Sequence, residues 1–252
     1  MAATTPAAPV LVHSPATTDG WFYTCVGAFA LLFCIVAFGP SVVHPEKRLG
    51  AITALLALHG SLFFAWLLLF IAQTTLVRTG NLALHRLIGM WSAILAAALV
   101  VVGYQTTIAM GRRGYDSSGD LVGARSDPLA AMAFPLLDIF MFAALFTAAY
   151  LYRHRGAIHK RLMLLALTGA LMPAPIAHLT GHYAFLRGEG FLTPLIVAAF
   201  LSAGAINDRI KLRRIHPVSL WIALAMFLLD NVCFAIVMPS GVWHTFAAWL
   251  IR

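Results

Sequence analysis

The chain is expected to fold as an all-α bundle of about seven transmembrane helices, and three observations lead there. Of its 252 residues 61% are hydrophobic and only 10% are charged, where a soluble domain carries about a quarter charged. The apolar residues gather into runs near the roughly 20 residues that cross a bilayer as a helix. Most of the basic residues sit in short stretches between those runs, as topology signals do.

Residues 1–20 are rich in Ala, Thr and Pro and hold one Asp but no Lys or Arg. Without the basic start of a signal peptide, they read as a flexible tail. Apolar runs follow at 21–40, 51–77, 85–108, 129–152, 159–180, 191–206 and 217–238, the sixth being the shortest. Their short connections make 21–238 one helical bundle. The long connection at 109–128 is glycine-rich and polar, which suits an exposed loop. Residues 239–252 are too short to span, and Trp243 and Trp249 suit an interfacial segment lying among headgroups. Cys25, Cys34 and Cys233 all fall inside runs and form no CxxC pair, so they read as small apolar fillers.

The net charge of +8 is a topology signal rather than a nucleic-acid footprint. Arg78, Arg86, Arg153, Arg155, Lys160, Arg161, Arg209, Lys211, Arg213 and Arg214 fall on the side of the N-terminus. Lys47, Arg48, Arg112, Arg113, Arg125, Arg187 and Arg252 fall on the other. Ten against seven favours a cytoplasmic N-terminus in a bacterial inner membrane.

The polar residues inside the runs point to chemistry. His59, Trp66 and Gln73 recur every seven residues and so share one face of the second helix. On the third, His85, Gly89, Ser92, Ala96 and Gly103 share a face whose small residues admit a neighbouring helix or a flat ring system. Leu84-His85-Arg86-Leu87-Ile88-Gly89 and Ile158-His159-Lys160-Arg161-Leu162-Met163 open the third and fifth runs alike, which suits an internal duplication or a shared interface chemistry. The fifth run extends from His159 to His178, a rise of about 28 Å, so these two occupy opposite faces of the membrane. Pro173 and Pro175 should kink its end. His178 and His182 form an i, i+4 pair if the helix continues. Asp138 and Asp230 come directly after apolar runs, and each needs a partner or a proton.

Three readings stand open. In the first, the protein is a membrane oxidoreductase that carries electrons on haem b. His85 would pair with His159, and His59 with His178, each pair ligating one iron axially. Quinol or another donor would reduce it, with partner subunits in the bilayer. In the second, His59, Asp138, His178 and His182 gather round one zinc ion for hydrolysis. In the third, the chain is a non-catalytic subunit or assembly factor, and its histidines serve packing and interface roles.

His59-Gly60 with Trp66 and Gln73, and the two histidine-led segments above, resemble a group of uncharacterised bacterial polytopic membrane proteins over roughly residues 50–180. More distantly the chain is similar to transmembrane di-haem cytochromes b of the ascorbate-reducible and ferric-reductase type. That resemblance implies two bis-histidine haems on opposite sides of a helical core. It departs from them in drawing His159 and His178 from one helix and in carrying Asp138, not histidine, on the fourth. The zinc set is distantly similar to that of seven-helix adiponectin receptors and alkaline ceramidases, in a different chain order.

Overall fold

The structure, a computed structural model, describes residues 20–47, 50–114, 127–182 and 191–252. Seven long helices run α1 (Phe22–Val43), α2 (Ala54–Arg78), α3 (Leu82–Arg113), α4 (Pro128–Leu151), α5 (Gly156–Gly181), α6 (Leu192–Leu212) and α7 (Val218–Val237). A short α8 (Gly241–Leu250) comes last. All but α6 among the long helices are apolar and long enough to cross a membrane. The sixth is the weakest in the sequence for a visible reason: its last turns hold Asn207, Asp208, Arg209 and Lys211. At 21 residues it is nevertheless longer than the 191–206 run suggests.

Polar caps set several helix starts, because the first N–H groups of a helix lack intrahelical acceptors. Thr53 accepts from Leu56 N–H, Asn81 from Leu84 N–H, and Asp127 from the N–H groups of Leu129 and Ala130. Asn81 starts α3 before His85, so His85 sits in the first turn rather than at the edge. Gly114, at φ +79°, ends that helix in the left-handed conformation that glycine adopts without strain. Of the long connection at 109–128, residues 115–126 lie outside the described part.

Packing puts α5 at the centre. It touches α1, α4, α6 and α7, while α2 lies between α1 and α3, and α3 packs chiefly on α2 and α4. Leu162, Leu164, Leu165, Leu167 and Ile176 of α5 are buried in a core with Trp66, Leu67 and Phe142. At Gly169 a Cβ would stand 2.5 Å from the Met226 methyl and 2.6 Å from a Leu201 methyl. The Met226 and Leu201 side chains of α7 and α6 thus fill the space that a larger residue at this position would need. The kink expected at Pro173 takes the form of a wide π-turn over Ala166–Leu171 directly before it, where the missing proline N–H and its ring would strain a regular α-turn. Two further π-turns, Val218–Ile222 and Cys233–Val237, bracket the middle of α7.

The C-terminal helix folds back on the start of α4. Trp243 Nε1 donates to the Leu129 carbonyl (2.8 Å), His244 Nε2 meets Asp127 Oδ2 (2.5 Å), and Arg112 Nε donates to the Ile251 carbonyl (2.8 Å). Val242 and Trp249 remain on its exposed side.

Candidate cofactor site

Two helical hairpins each deliver one histidine, held by the helix that precedes it. In the α2–α3 hairpin, the turn Thr79-Gly80-Asn81 brings Gln73 beside His85. Gln73 Nε2 donates to His85 Nδ1 (2.6 Å) and to the His85 carbonyl (3.2 Å), and its Oε1 accepts from Gly89 N–H (2.8 Å). The reverse amide orientation would set oxygen against oxygen and N–H against N–H. In the α4–α5 hairpin, His159 Nδ1 donates to the Ala149 carbonyl (2.9 Å).

The hairpins bring the two rings together at one end of the bundle. Their centres are 6.4 Å apart and their planes stand at 76°. Both rings are half-buried. Each Nδ1 is thus engaged, and no hydrogen bond links the two rings among the described residues. A separation of this size leaves room for one atom bonded to both, since an imidazole nitrogen binds a first-row metal at about 2 Å. A ring whose other nitrogen donates to a carbonyl, as His159 does, has the orientation and basicity of a metal ligand.

Beside this pair lies a network that the sequence does not announce. Arg161 reaches α6, where its Nε donates to Asp208 Oδ2 (3.0 Å) and its Nη2 donates to Oδ1. Asp208 also accepts from Ser219 Oγ (2.6 Å) and from His216 N–H (3.3 Å). Arg161, Asp208 and Ser219 are all buried. Burial, with Arg161 next in weight, holds the His216 imidazole below its ordinary value of 6.5. Its Nδ1 accepts from Val218 N–H (3.2 Å), which only an unprotonated nitrogen does. One signal in the sequence points to Asp208: an acid near the C-terminus of a helix opposes the macrodipole and calls for a cationic partner.

At the opposite end the candidate residues stay apart. His59 has no hydrogen-bond partner at Nδ1. Its ring lies 6.5 Å from Phe63, and its Cε1 stands 4.0 Å from where a Cβ on Gly103 would be. His178 is buried and stacks on Phe38 of α1, centres 4.6 Å apart. The structure gives His59 and His178 no ring contact with each other. His182 follows Gly181 at the end of α5, and its side chain lies outside the described part. Asp138 and Asp230 lie on α4 and α7, which pack together. Asp138 Oδ1 and both Asp230 oxygens have no hydrogen-bond partner. Among the described residues no three His, Cys, Asp or Glu side chains are grouped to hold a metal ion. The small-residue face of α3 is used for packing: Gly89 lies against Gln73, and Gly103 against Ile139 and His59.

The site therefore belongs to a multi-pass helical membrane protein with a paired-imidazole centre at one end. Comparison of the chain with models of known families, with curated proteins and with solved structures finds no match in any of the three.

Proposed function

We propose that the protein is a b-type haem protein of the bacterial inner membrane that carries electrons within or across the bilayer, and that His85 and His159 would hold the haem iron. The 6.4 Å separation of the two rings carries this reading. Three features support it. Both Nδ1 atoms are held by the helix that precedes each histidine. The rings come from α3 and α5, both of which pack on α4. Arg86 and Lys160, each next in sequence to one of the histidines, supply positive charge for a haem's carboxylates.

Bound there, haem would supply one-electron transfer at a potential tuned by its imidazole ligands and their hydrogen bonds. The chain's own residues orient the two rings, through Gln73 for His85 and the Ala149 carbonyl for His159. A membrane quinol is the donor class this reading implies. One haem is proposed, because His59 and His178 lack the contact that favours the other pair.

The test is an absorption spectrum of the full chain purified in mild detergent from haem-replete cells, oxidised and then dithionite-reduced. A Soret band with sharp reduced α and β bands is expected, lost in both His85→Ala and His159→Ala variants that still elute as folded protein. A featureless wild-type spectrum, or a band that survives both substitutions, overturns the assignment. Zinc found by elemental analysis in such a featureless protein would turn attention to the hydrolase reading.

A further inference from the structure

The two histidines of the pair are not equivalent, and the difference lies in what holds each Nδ1. A carbonyl can only accept, so His159 carries its hydrogen on Nδ1 and presents a lone pair at Nε2. Gln73 meets His85 through its amide nitrogen, which can only donate. His85 Nδ1 is therefore the acceptor, and the hydrogen of the neutral ring sits on Nε2. In the neutral pair His85 so keeps a hydrogen on Nε2 where His159 keeps a lone pair.

We propose that Gln73 is a positioning residue that sets the tautomer of His85, and so decides whether the pair offers its gap one lone pair or two. Resting on the haem reading for its purpose, it has a structural basis of its own. Ligation through both Nε2 atoms needs the hydrogen of His85 moved to Nδ1. That hydrogen then requires an acceptor, and the Gln73 amide supplies one by turning over so that Oε1 faces the ring. The turn gives up the bond from Gly89 N–H and sets Oε1 near the His85 carbonyl. The resting chain is thus biased against ligation at His85, and arrival of the metal is coupled to reversal of one amide. Glutamate at position 73 removes the bias, since both of its oxygens accept, and a carboxylate behind a histidine raises the ligand's basicity.

The experiment is long-range proton–nitrogen correlation on histidine-labelled full chain in detergent micelles, prepared from haem-deficient cells, with His85→Gln and His159→Gln to assign the two rings. In the wild type His85 is expected as the Nε2–H form and His159 as the Nδ1–H form. Gln73→Glu should convert His85 to the Nδ1–H form and leave His159 unchanged, and Gln73→Leu should leave His85 a mixture of the two. A wild-type His85 already in the Nδ1–H form overturns the proposal without any variant. So does a His85 tautomer unmoved in both Gln73 variants. Haem-replete Gln73→Glu should also show a lower midpoint potential than wild type. If no preparation binds haem, the proposed function fails while the tautomer result stands alone.

Discussion

Asp138 poses the sharpest problem at the level of single side chains. It is 7% exposed, one of its carboxyl oxygens has no donor, and the helix packed against its own carries another acid, Asp230. A buried polar atom without a partner costs about 1–3 kcal/mol, so this carboxyl is a net burden on the folded bundle. Asp138→Val should therefore leave thermal stability in detergent unchanged or raise it by roughly 1 kcal/mol, less any loss from altered packing. A fall of more than about 2 kcal/mol in that variant would mean that the carboxyl is bonded in the native protein after all. His178 presents the contrasting case: its stacking on Phe38 accounts for its burial by packing. Gln73 was legible as part of a stripe with His59 and Trp66. Its hydrogen bond to His85 was not, because the sequence does not fix how α2 and α3 are rotated about each other.

Among the elements, α5 holds α6 and α7 to the bundle through Arg161 and through the close approach at Gly169. Breaking a buried ion pair by removing one partner leaves the other charge uncompensated, at a cost of about 3–5 kcal/mol. Asp208→Ala should lower stability by that order, measured by thermal or denaturant unfolding in detergent. Arg161→Met combined with Asp208→Leu should recover most of the loss, because an apolar pair of similar size needs no charge compensation. Equal losses in the single and double variants would mean that packing rather than charge sets the cost. The apolar runs made α1 to α5 and α7 readable in the sequence, since length and hydropathy alone define a spanning helix. The caps moved the boundaries, most clearly at Asn81. The Arg161–Asp208 pair was not readable: its members are 47 residues apart, and Arg161 in a His-Lys-Arg run looks like an interface anchor. The π-turns escaped for a related reason, as tertiary packing selects them rather than local propensity.

For the molecule as a whole, the attachment of α8 is the part that responds to pH. Asp127 lies below its ordinary 3.8, first through the Ala130 N–H, with His244 and the Leu129 N–H adding to it. His244 lies above its ordinary 6.5, first through the Ser240 carbonyl and then through Asp127. A depressed acid stabilises the folded form above its unfolded value and loses that contribution as pH falls through the folded one. A raised imidazole stabilises below its unfolded value and loses that contribution as pH rises through the folded one. Docking of α8 should thus be tightest between about pH 4 and 6.5 and weaken on either side. Hydrogen exchange of Gly241–Leu250, corrected for intrinsic rates, should show least opening in that window, and His244→Gln should abolish the alkaline limb. Protection that is flat with pH in the wild type would mean that Trp243 and Arg112 hold the helix unaided. The wide turn at Ala166–Leu171 has a different kind of consequence. It takes up about one residue more than an α-turn between His159 and His178, where each residue of an α-helix rotates the remainder of the helix by about 100°. This turn acts as a phase adjuster, aiming one end of α5 at His85 and the other at Phe38. A single-residue deletion within it would leave those two ends in phase, whereas a deletion elsewhere in α5 would turn one end by about 100° against the other, so the wide turn is the stretch of this helix that absorbs a change of length.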